Sequence, residues 1–169
     1  MHTSSVQQNI LAELDHELKM TRRVLERVPF EQAGYQPHPK SMTLGQLASH
    51  VVNLLAFNTL FVTHEGRDFL DPNAPKPGPS PTSKDELLAR FDEYSATLRQ
   101  ELQASDDEKL THDFRLHRGE HTIMQMPKAG AIRIMGLNHS IHHRGQLTVY
   151  LRLLDVPVPG LYGPSADEK

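Results

Sequence analysis

Residues 132–154 read IRIMGLNHSIHHRGQLTVYLRLL, and the reading of this run decides the fold. No proline interrupts it and its apolar positions keep helical spacing, so it is predicted as one α-helix that begins around Ala129 to Ala131. At ~100° per residue, His139 and His143 lie ~40° apart, in one stripe with Ile132, Met135, Gln146, Tyr150 and Leu153. Two imidazoles four residues apart on an inward face can converge on one metal ion. The same pair can serve plain packing, and His142, ~60° from His139, offers an i, i+3 chelate instead. His143 lies deeper in the apolar stripe, and His142 lies toward its edge. The helix is expected to stop at Asp155, where VPVPGLYGPSADEK supplies three prolines and two glycines.

Working outward, a second helix is expected from about Leu44 to His64, with Ser41 or Thr43 placed to cap it. On it Leu47, His50, Leu54, Phe57 and Phe61 fall in a stripe ~80° wide, so His50 points inward among large apolar side chains. A lone inward histidine is ordinarily a neutral core residue bonded to a carbonyl. Burying three imidazoles from two helices without a common partner would be costly, which weakens that reading. From Ser5 to about Val28, the positions Ile10, Leu11, Leu14, Leu18, Val24 and Leu25 predict a first helix that ends near Pro29. Ser83 followed by Glu86 is a capping-box signature, and Leu87, Leu88, Phe91, Tyr94, Leu98 and Leu102 carry a third helix to about Ser105.

Between the second and third helices, Gly66 to Thr82 holds five prolines and cannot be helical. At ~3.3 Å per residue it can travel ~50 Å, more than the ~30 Å of a twenty-residue helix. It is therefore read as a crossover that lets those two helices run parallel, not as a domain linker. The alternation in HDFRLHRGEHTIMQM predicts two short strands around Arg118-Gly119.

Composition sets further bounds. A chain of 169 residues with 37% hydrophobic content suits a single domain spanning 1–169. With no cysteine, disulfides, zinc–thiolate sites and cysteine nucleophiles are excluded, so any metal must use nitrogen and oxygen ligands. A net charge of −3 without basic blocks argues against nucleic acid or an acidic membrane as partner. The opening MHTSSVQQNI lacks a basic region followed by an apolar run, and no stretch of ~18 apolar residues occurs, so a cytoplasmic protein is expected. Five histidines (His2, His38, His112, His117, His121) are expected in loops, solvated. P-loop, G-x-G-x-x-G, G-x-S-x-G and HExxH motifs are absent, and the helices carry no E-x-x-H pair of a di-iron site.

The inward His of LGQLASHVVNL, together with NHSIHHRGQLTVYLRLLDVPVPGLYGPSADE, resembles the DinB/YfiT-like family, whose members are regarded as metal-dependent enzymes. The likeness spans most of the chain, and HSIHHRGQL with the VPVPGLYGPS tail is its most specific part. The resemblance implies an all-α, up-down-down-up four-helix bundle, commonly a homodimer, with a divalent metal held by His50, His139 and His143. Three imidazoles leave positions open for water or substrate, and zinc or nickel suits nitrogen ligands. Relatives of known activity are thiol-dependent transferases or isomerases, which implies a low-molecular-weight thiol as cosubstrate and a metal that activates it. Gln146 shares the ligand stripe and is a candidate to orient a metal-bound water. Arg144, ~100° from His143, is assigned to packing, a salt bridge or a dimer contact. The rival functions are a non-catalytic metal-binding stress-response protein and a dimeric bundle that holds metal incidentally.

Overall fold

The computed structural model describes residues 5–76 and 78–168. Met1–Ser4, with His2 and the start of the stretch read for a leader, lie outside them, as do Pro77 and Lys169. Helix α1 spans Val6–Leu25 and starts on a capping box: the Ser5 hydroxyl accepts from the Gln8 N–H, and the Gln8 side chain accepts from the Ser5 N–H. Helix α2, Leu44–Thr63, repeats the device with Thr43 and Gln46. Helix α3, Lys84–Ala104, is capped by Ser83, but the Glu86 carboxylate turns to Thr82, accepting from its N–H and hydroxyl at 2.7 and 2.9 Å. A short α4, Asp107–Thr111, leads into the last third of the chain.

Ion pairs and close contacts fix the relative directions of the long helices. Arg22 meets Asp92 and Arg99 meets Asp15, so α1 and α3 run antiparallel. The final helical run, Lys128–Leu153, lies parallel to α1, with Arg133 on Glu13 and Arg144 on Glu17. It is antiparallel to α2, since His50 faces His143 while Asn58 faces Gly136. Leu14, Leu25, Leu47, Phe61, Phe91, Leu98, Leu147 and Leu151 fill the space enclosed.

The protein is mostly helical, and the expectation of an all-α fold is corrected by a three-stranded sheet. Strand β1, Gly66–Asp68, pairs parallel with β2, Asp113–Arg118, which pairs antiparallel with β3, His121–Pro127. The β2–β3 hairpin is the pair of strands predicted around Arg118-Gly119, with a turn at Gly119 where φ is +57°. Period-2 burial explains it: Phe114 and Leu116 point inward, and Phe114 meets Phe61 edge-to-face at 4.8 Å. His117 is not a free loop residue, since its Nδ1 lies 2.9 Å from the Gly119 carbonyl oxygen beside Asp68.

The final run is not one uniform α-helix. It comprises α5 (Lys128–Ala131), a π-helical stretch (Ile132–Asn138) and α6 (His139–Leu153). Ala131 and Gly136 are both buried, as are Ile132 and Leu137. Each pair is five residues apart, and only a turn with i→i+5 closure places both members on one side. A projection at constant period across this turn was bound to misplace residues. The buried side of α6 is centred on Arg144, Leu147 and Leu151. Leu153, expected in the inward stripe, lies ~200° beyond Leu151 and is 54% exposed. Among the described residues, no helix is long and apolar enough to cross a membrane.

Candidate metal centre

His50 stands in the second turn of α2, and His139 and His143 in the first two turns of α6. Antiparallel packing of these helices brings the three rings together. One nitrogen from each lies within 4.8 Å of the others, the only such cluster of His, Asp or Glu among the described residues. The His50 ring sits edge-on to His143 at 4.4 Å and to His139 at 5.4 Å. All three are half-buried, at the rim of the core and not at its centre.

His139 Nε2 and His143 Nε2 are 2.9 Å apart. Two nitrogens bound to one ion at ~2.05 Å and a tetrahedral angle stand ~3.3 Å apart, so a small rotation of either ring meets that requirement. Tautomers favour the same arrangement. The Gln146 carbonyl oxygen lies 2.7 Å from His143 Nδ1 and accepts its proton, which leaves the Nε2 lone pair facing the other rings. His139 Nδ1 is buried with no partner in good hydrogen-bonding geometry. If that nitrogen carries the ring proton, directed toward the Met135 backbone, Nε2 is again free as a donor to a metal. The all-imidazole donor set fits a borderline divalent ion.

Burial, followed by the neighbouring His143 and His139, pushes the His50 pKa down to about 4. Burial and His143 also lower that of His139, while the Met135 backbone acts in the opposite sense. These two rings are therefore neutral at pH 7, which is the form that binds metal. His142, the alternative partner, is exposed, and its ring meets that of His143 edge-to-face at 4.8 Å. The structure groups His143, not His142, with His50 and His139.

Beside His143 opens a cavity of about 410 Å³, bounded by Lys40, Ser41 and Met42 on one side and Gln146 and Tyr150 on the other. A tighter hollow of about 100 Å³ lies beneath the Pro-rich segment among Phe57, Arg67, Pro75 and Tyr94, and contains none of the three histidines.

Similarity to known proteins agrees with this architecture. The DinB family profile matches residues 1–169. The chain belongs to the DinB family. It is 28% identical over 162 residues to the protein YrdA of Bacillus subtilis strain 168, covering 92% of this chain and 91% of that one. A DinB-like protein of Bacillus cereus ATCC 10987 superposes with a TM-score of 0.70 at 25% identity, covering 92% of this chain and 97% of that one. The DinB-like protein YjoA of Bacillus subtilis shares the fold, with a TM-score of 0.69 at 15% identity over 95% of this chain and 98% of its own.

In this DinB protein, Arg144 has a role that the sequence left open. It is 1% exposed and makes an intramolecular salt bridge, with Nη2 at 2.7 Å from Glu17 Oε2. Nη1 donates to the Glu17 carbonyl and the Thr21 hydroxyl at 3.1 and 3.2 Å, and the Tyr162 hydroxyl donates to Glu17 Oε2 at 2.8 Å. Burial and the bond to Glu17 push the Tyr162 hydroxyl above its ordinary pKa. This network locks α6 against α1 one residue from His143, and it pins the C-terminal segment over both. A charged residue on a helix reads as surface, so only the nearby tyrosine in VPVPGLYGPS offered a signal.

Proposed function

We propose that this DinB protein binds one divalent metal ion, zinc or nickel, through His50, His139 and His143, and uses it to activate a small-molecule thiol for attack on an electrophilic substrate. The observation that carries the reading is three converging imidazoles, one of which, His143, lines a cavity large enough for a small organic molecule. A bound ion would supply Lewis acidity there, favouring the thiolate form of a thiol near neutral pH. The chain's own residues have narrower tasks. Gln146 holds the His143 tautomer and ring plane, and burial keeps His50 and His139 neutral. Met42 and Tyr150 wall the cavity and limit water. Since the chain has no cysteine, the nucleophile arrives with the cosubstrate.

At the level of the chain, we read residues 1–169 as one domain whose long helices form an up-down-down-up four-helix bundle, with the Pro-rich segment as crossover. The pairwise helix directions support that reading. A cytoplasmic homodimer is the matching assembly, and the exposed Val149 and Leu153 on the outer side of α6 are candidates for its contact.

The test is a pH–rate profile for conjugation of a model electrophile across a panel of physiological thiols, using metal-loaded protein and His50→Ala. Thiol held as thiolate gives a rate nearly independent of pH above ~7, whereas free thiol attacks about tenfold faster per pH unit up to a pKa of ~8.5. A wild-type rate no higher than that of His50→Ala with every thiol would withdraw the transferase reading and leave a non-catalytic metal-binding protein.

A further inference from the structure

We propose that the cavity beside His143 selects ligands bearing a single carboxylate, bound by the Lys40 ammonium and the Ser41 hydroxyl. This deepens the preceding reading and rests on it for the position of the ligand's reactive end, which faces the histidines. Lys40 is the only charged side chain lining the cavity, and no carboxylate of the described residues lies within ion-pairing distance of its ammonium. Apart from Gln146 and His143, the remaining lining is apolar and aromatic, from Met42, Val149 and Tyr150. The Lys40 cation, the apolar lining and the His143 imidazole together match a short carbon skeleton with an acid at its far end.

The backbone of the segment that carries Lys40 is fixed, so the exposed lysine is tethered at the cavity mouth before any ligand enters. The Tyr150 hydroxyl donates to the Met42 carbonyl at 2.9 Å, tying the segment to α6. The Gln36 amide donates to the Ser41 carbonyl at 2.6 Å, and the Ser41 N–H to the His38 carbonyl at 2.8 Å. The same bonds discriminate between anions. The amides of Lys40, Ser41, Thr43, Leu44 and Gly45 all have internal acceptors, so no cluster of free N–H groups awaits a phosphate. One ammonium and one hydroxyl balance a monoanion, and a phosphate dianion would keep an uncompensated charge.

The experiment has two arms, both on the full chain. In the first, metal-free protein is titrated with butyrate and with butyramide while the backbone amide signals of Ser41 and Gln146 are followed by NMR. Butyrate is expected to shift both signals and bind at least tenfold tighter than butyramide. The preference should vanish in Lys40→Met and persist in Lys19→Met, whose lysine is exposed on α1. In the second arm, cobalt-loaded protein is titrated with 3-mercaptopropionate and 2-mercaptoethanol, reading the cobalt absorption, and the acid is expected to bind at least tenfold tighter in a Lys40-dependent way. If no thiol alters the cobalt spectrum while the first arm behaves as expected, the thiol reading falls and the carboxylate site stands. Equal binding of butyrate and butyramide by wild type, or an undiminished preference in Lys40→Met, overturns the proposal. Inorganic phosphate displacing butyrate at lower concentration than butyrate itself requires overturns the choice of carboxylate.

Discussion

His142 and His143 are adjacent in sequence, yet the first lies outside the cluster, edge-on to the second, which belongs to it. Alanine at His50, His139 or His143 is therefore expected to remove most bound metal, while His142→Ala retains it; metal content of untagged protein by mass spectrometry decides. Gln146→Ala keeps all three imidazoles but frees the His143 ring, and outer-shell losses of this kind lower metal affinity about 10–100-fold. Affinity unchanged in Gln146→Ala would show that the tautomer is fixed some other way. Acid should act on the metal-free protein through the same rings. His50 is held near 4 and His139 below 6.5 when folded, and both return to about 6.5 when unfolded. Between those values the unfolded chain binds more protons, so stability that is complete above pH 6.5 is lost as the pH falls toward 4. Urea midpoints at pH 7.5 and 5.0 should differ more for wild type than for His50→Gln, and an equal difference would count against the buried neutral ring.

At the scale of elements, the close approach of α2 to the π-helical stretch depends on Gly136. A Cβ built there stands 2.3 Å from Asn58 Cγ, closer than nonbonded atoms approach. Gly136→Ala is expected to cost about 1–3 kcal/mol, with the loss largely relieved in the Gly136→Ala/Asn58→Ala double variant. Thermal denaturation of the three variants tests this, and additive losses would argue against the contact. The elements best legible in the sequence were those whose signals are local. Ser5 and Ser83 mark helix starts to the residue, Thr43 proves to be the cap where Ser41 or Thr43 was open, and the alternation through Phe114 and Leu116 marks β2. The π turn was not legible, because a search for helical periodicity assumes one period throughout. Strand β1 was not legible either: three residues next to a Pro-rich stretch carry no pattern, and they are ordered by pairing with a strand some fifty positions later.

For the molecule as a whole, the buried Arg144 network joins the first helix, the last helix and the C-terminal segment. Arg144→Ala leaves the buried Glu17 without its counter-charge and is expected to destabilise by about 3–5 kcal/mol. Tyr162 is 65% exposed, so Tyr162→Phe, which removes the hydroxyl bonded to Glu17, should cost less, about 0.5–1 kcal/mol. Denaturant titrations giving the reverse order would mean that Tyr162 and not Arg144 holds the ends together. The sequence pointed to the three histidines that the structure brings together because two share one short motif and the third stands in an apolar stripe. It did not reveal this network, because Glu17 lies 127 positions from Arg144 and nothing local to either signals burial.

Counted as length of chain, the π turn is one residue of slack. Downstream, α6 is anchored to α1 by Arg144 and to the C-terminal segment by the Arg152–Asp167 pair, so it cannot easily turn. Upstream lies Lys128, fully buried with its ammonium 2.7 Å from Glu65, and beyond it the hairpin. Deleting Ile134, which is 52% exposed, would let the stretch wind as ordinary α-helix and rotate the two sides by ~100° relative to each other. The weaker anchor gives way: the shortened chain should keep its metal while hydrogen exchange across residues 113–127 rises sharply. The extra residue in that turn thus keeps the sheet in register with a histidine cluster to which it contributes no side chain.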